Sequence, residues 1–99
     1  MNDIRYDLDG LQQCANQMNI CLPNLLERQH WAEIEWQISI PKNIWNGEAA
    51  EKYRLLCKKI VAEQDATRVR KLPYLIRGVI VRIREREQAS ANAVERAFN

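Results

Sequence analysis

Apolar residues recur along the first half of the chain in alternating steps of three and four. Leu8, Leu11, Ala15, Met18, Leu22 and Leu25 lead, past a polar Gln29, to Ala32 and Trp36. That is the period of a helix with one buried stripe, not the two-residue period of a strand. Asp7 or Asp9 can cap its start. Pro23 lies inside the pattern, where it removes a backbone donor and crowds the carbonyl four residues back. It predicts a kink near residues 19–23 without a full break, because the stripe continues in phase. A competing pattern follows. Ile34, Trp36, Ile38 and Ile40 alternate with Glu33, Glu35, Gln37 and Ser39, which alone reads as a strand. A helix ending near residues 38–40 is preferred, since the stripe reaches Trp36 and Pro41 then stops it.

The segment from Pro41 to Gly47 reads as a connection. Asn46 or Gly47 can cap a second helix, whose first turn carries Glu48 and Glu51 where negative charge is favoured. Ala49, Tyr53, Leu56 and Ile60 step by four, three and four. Residues 63–71 are mostly polar, and a second seam then runs through Leu72, Ile76, Val79 and Ile83, weakening to Ser90, Ala93 and Ala97. A change of phase between two seams predicts a stutter or bend, placed here at Pro73, with Gly78 a further weak point. Residues 78–84 have high strand propensity but no neighbouring turn dipeptide, so helix is preferred. The expected fold is all-α. It is a single antiparallel two-helix hairpin with arm one at about 8–40, turn 41–47, arm two at about 48–90 and a tail at 91–99 that frays.

A lone two-helix hairpin of 99 residues has few places to bury two apolar stripes, so a partner chain is expected, giving a four-helix bundle. The pairing interface is assigned to Leu11, Met18, Leu22, Leu25 and Trp36 on arm one. On arm two it falls to Tyr53, Leu56, Ile60, Ile76, Val79 and Ile83. Trp31 and Trp36 read as core or interface anchors rather than ligand-stacking rings.

Charge divides the chain. Residues 1–47 hold three Lys/Arg against six Asp/Glu, whereas residues 48–99 hold twelve against seven. An acidic arm suits docking on a basic one, and charge runs are usually solvated faces. Arg70, Arg77 and Arg84 share a helical face, but Glu85 and Glu87 interrupt the basic cluster, which argues against nucleic acid.

Candidate chemistry is sparse. Cys14 and Cys21 stand about 10.5 Å apart along one helix, beyond the roughly 7 Å a disulfide spans. Cys57 would face residues near 33. His30 is alone, no zinc-type spacing occurs, and no phosphate loop or nucleophile–base pattern is present, so neither an enzyme nor a cofactor or metal is expected. An intermolecular bond through Cys14 or Cys21 is a minor alternative. The acidic start of the chain lacks an apolar leader, so export would need a route that reads the folded protein or an internal signal. The longest aliphatic stretch, Val79-Ile80-Val81, is far too short to span a bilayer.

The central Trp45-x-Gly47, followed by Ala49-Ala50-x-x-Tyr53 and flanked by helix-period arms, resembles the WXG100 family of type VII (ESX-type) secretion. Length and the aromatic end, Ala97-Phe98-Asn99, fit as well. The resemblance implies a hairpin that dimerises and leaves the cytoplasm, by a non-Sec route through the type VII ATPase, as a secreted effector or as the targeting partner or chaperone of a larger toxin. It makes Trp45 and Gly47 half of an export signal. The family's other half, Tyr-x-x-x-Asp/Glu after the second helix, is missing, since Tyr74 is followed four residues on by Gly78. That favours a heterodimer whose other chain carries the tail. Three cysteines and two helix-interior prolines also depart from the family pattern. The alternative reading is a cytoplasmic adaptor or regulatory module whose basic second arm binds an anionic partner, nucleic acid or membrane surface.

Overall fold

The computed structural model describes the backbone of residues 5–98 and the side chains of residues 6–86. The chain is all-α. Two-residue strands β1 (Arg5–Tyr6) and β2 (Trp45–Asn46) accompany four helices, α1 (Leu8–Glu27), α2 (Trp31–Ile38), α3 (Glu48–Glu63) and α4 (Ala66–Phe98). Each expected arm is therefore two helices, not one.

The first joint lies at Gln29, the polar position in the apolar stripe. Its backbone is left-handed, φ 52°. Gln29 N–H donates to the Leu26 carbonyl at 3.1 Å and His30 N–H to that of Leu25 at 3.0 Å. This is a Schellman ending, which satisfies carbonyls that the last helical turn leaves open. The second joint repeats it. Gln64 has φ 51°, its N–H donates to Val61 O, and Asp65 N–H donates to Ile60 O. Asp65 then caps α4 through its carboxylate, which accepts from Arg68 N–H at 3.1 Å.

The bend expected at Pro73 thus falls earlier, at Gln64–Asp65. Pro73 sits inside α4 and is buried, and Pro23 sits inside α1, which continues unbroken to Glu27. Capping decides both outcomes. A left-handed glutamine ends each first helix, and at the second joint the Asp65 carboxylate also starts the next, whereas a proline within a packed helix removes one hydrogen bond. Residues 33–38 and 78–84 are helical, not strands.

Apolar phase explains why the joints reverse the chain. Helix α1 buries Leu11, Ala15, Met18, Leu22 and Leu26, and α2 buries Ile34 and Ile38. On a straight helix at about 100° per residue, these two sets would lie roughly 140° apart. The buried residues of α3 (Ala50, Tyr53, Cys57, Ile60) and of α4 (Val69, Leu72, Ile76, Ile80) are offset by a similar angle. A straight arm cannot turn both sets to one core, but a folded arm can.

Direction follows from the ladder. β1 pairs antiparallel with β2, Tyr6 opposite Trp45, and Asp7 N–H donates to Ile44 O at 2.7 Å. The start of α1 therefore lies beside the central turn, and arm one goes out along α1 and comes back along α2. Helix α1 packs on α2 and most extensively on α4, and α2 packs on α3. The molecule measures 58 × 28 × 19 Å, its long dimension matching the roughly 50 Å of a 33-residue helix. Seam positions Ser90, Ala93 and Ala97, the fraying of the tail and the aromatic end lie outside the residues whose side chains are described.

Candidate functional site

The turn between α2 and α3 is built around Trp45. Its ring is buried, 4% exposed, and meets the Tyr53 ring at 5.4 Å between centroids, tilted by 46°, within the range where aromatic pairs attract. The backbone around it is tied down from α3. Tyr53 Oη donates to the Ile38 carbonyl at 2.6 Å. Arg54 Nη2 donates to the carbonyls of Trp45 at 2.6 Å and Ile40 at 3.1 Å. Glu51 holds the same guanidinium from the other side, Nη1 to Oε1 at 3.1 Å. One turn of α3 thus supplies donors to three carbonyls, those of Ile38 at the end of α2 and of Ile40 and Trp45 in the turn.

Gly47 closes the turn and caps α3 with φ 118°, ψ −176°, a region that only glycine occupies readily. Its N–H donates to Asn46 Oδ1 at 2.9 Å, and its carbonyl accepts from Glu51 N–H at 3.0 Å. Gly10 is the other close approach. A Cβ there would lie 2.8 Å from Asp7 Oδ2 and 3.1 Å from Ile44 Cγ2, while Asp7 caps α1 through Gly10 N–H at 3.0 Å. The chain crossing of α1 and the turn depends on that missing side chain.

Facing the turn across a groove of about 600 Å³ is α4. Tyr6, Trp45 and Gly47 line one side, and Val79, Arg82 and Arg86 the other. A second groove of about 400 Å³ lies between α1 and the end of α2, bordered by Cys14, Gln17 and Trp36.

The expected pairing residues divide in two. Leu11, Met18, Leu22, Tyr53, Ile60 and Ile76 are buried in the chain's own core, and Leu25, Leu56, Val79 and Ile83 pack partly against it. These positions are already covered by other helices of the same chain. Trp36 is the exception at 75% exposed, because α2 turns Ile34 and Ile38 inward. Trp31 is half-buried. Arg54 was missed by sequence reasoning. Its signal is weak, a single basic residue seven positions after Gly47, and the two carbonyls and one carboxylate it contacts become neighbours only through the fold.

The thiols are not poised for reaction. Burial pushes Cys57 up to about 11 and raises Cys14 and Cys21 above the ordinary thiol value, and a protonated thiol is a poor nucleophile. Burial first, and the neighbouring Cys57 second, hold the Tyr53 phenol far above its usual range. Among the described residues no three His, Cys, Asp or Glu side chains converge as metal ligands, and no helix is long and apolar enough to cross a membrane. No protein-family model matches this chain, no curated protein matches its sequence, and no solved structure matches its fold.

Proposed function

We propose that this chain is a WXG100-like protein of type VII secretion, acting without catalysis, and that it works by pairing with another helical chain as effector, targeting partner or chaperone. The observation that carries the reading is the Trp45-x-Gly47 turn itself. It is central, hydrogen-bonded from α3 by Tyr53 and Arg54, and bordered by an open groove. A signal read on a folded protein needs such a fixed shape, because ordering a loose loop at the moment of binding costs affinity. A two-chain bundle made from straight hairpins would require both arms to straighten at Gln29 and Gln64. The compact chain instead offers a partner its outer surface.

Export is tested by following the protein in the medium of a type VII-competent host. Trp45→Ala and Gly47→Arg are expected to abolish secretion while the cells still contain protein. Secretion at the wild-type level by both variants, each folded by circular dichroism, would defeat the export reading.

A further inference from the structure

The outer face of α4 is an uncovered helical stripe in which Tyr74, Gly78 and Val81 lie between the charged ends Lys71 and Glu85. Opposite the core positions Val69, Leu72, Ile76 and Ile80 runs a second three-four repeat, Lys71, Tyr74, Gly78, Val81 and Glu85. Its rings and branches are open to solvent, with Tyr74 69% and Val81 52% exposed. A Cβ on Gly78 would meet nothing within 4 Å, so another helix can approach closely at mid-stripe. Flanking the stripe at seven-residue intervals stand Arg70, Arg77 and Arg84, the positions that set partner choice in paired helices. Among the described residues none of the three forms an ion pair.

We infer that this face docks an acidic helix of a different protein. A second copy is the wrong occupant for a simple reason of charge. Antiparallel pairing sets this arginine flank against itself. Parallel pairing sets Arg77 against Arg82 of the other copy, five residues further on, across the seam. Like charges across a helix pair are unfavourable. A partner with carboxylates at those flanks and small or apolar residues along its seam meets three arginines and slots beside Gly78. The acidic helix deepens the pairing half of the function proposed above, and its test does not involve export, so either can fail alone.

The test uses the full chain and two synthetic helical peptides of about three heptads. Both carry Leu and Ala along the seam; one has Glu at every flanking position and the other Lys. Binding is read by backbone amide shifts and by calorimetry. The Glu peptide is expected to bind roughly ten-fold or more tightly than the Lys peptide, to shift amides of residues 70–85, and to weaken as salt rises from about 0.05 to 0.5 M. R77E is expected to reduce or reverse that preference. G78Q is expected to weaken binding while the chain stays folded, since its side chain points into open space. The inference is overturned if R77E leaves the preference unchanged, or if the shifts centre on the Trp45 groove. Tighter binding of duplex RNA or phosphatidylserine vesicles than of the Glu peptide also overturns it, as does self-association through α4.

Discussion

Two side chains and one glycine fix the central turn. Gly47 occupies backbone angles that cost other residues about 1–3 kcal/mol, so Gly47→Ala is expected to lower unfolding free energy by that amount in urea titrations. Tyr53 gives the Ile38 carbonyl a partner in the interior. Tyr53→Phe keeps the ring against Trp45 but leaves that carbonyl only the weak Cys57 thiol donor at 4.0 Å, and losing the stronger partner of a buried polar group costs about 1–3 kcal/mol. The same measurement checks it, and a stability equal to wild type would mean that water replaces the hydroxyl. One residue on, at Arg54, the effect is distributed over Trp45 and Ile40, so its removal loosens the loop more than the helix.

Helix identity was legible from the three-four period, as was the end of α2 before Pro41, while the caps were legible only as pairs, Asp7 or Asp9 and Asn46 or Gly47, of which the fold uses Asp7 and Gly47. The joints were not. Helix endings of this kind usually carry glycine, whereas here glutamine occupies both left-handed positions, so the usual punctuation is absent. The drift of the apolar stripe, from Leu22 and Leu26 to Ile34 and Ile38, was the available clue, hidden by Ala32 and Trp36 continuing the older register. The turn residues Trp45, Gly47 and Tyr53 were legible as a group; Arg54 was not, because its acceptors are backbone atoms. Gln29→Gly and Gln64→Gly should each raise stability by about 0.5–1 kcal/mol, since a Cβ is disfavoured in that conformation. Gly78→Ala should do so by a similar amount through helix propensity alone. Thermal melts of the three variants check both, and a fall in melting temperature at either joint would show that the glutamine side chain contributes more than its backbone costs.

For the molecule as a whole, the core is apolar apart from the Tyr53 hydroxyl and the Cys57 thiol, with no buried charged side chain among the described residues. Alkaline pH is therefore where its burial is challenged. The folded pKa of Cys57 is raised from 9.0 to about 11, so its stabilising contribution is fully present below pH 9 and is lost as pH climbs toward 11. Urea midpoints across that range should fall, and Cys57→Ala should flatten the decline. In native buffer at neutral pH, Cys57 should be the last of the three thiols to react with a maleimide, because it is both the most buried and protonated.

The closure of α1 against α4 also orders events in time. Most of the packing of the first helix waits for the last one, and loop closure over that separation precedes any reward in contacts. On a ribosome, residues 8–63 emerge with Leu11, Met18 and Leu22 only partly covered, and stay so until Ile76 and Ile80 clear the exit tunnel. For that interval the nascent protein displays an apolar surface that the folded one hides.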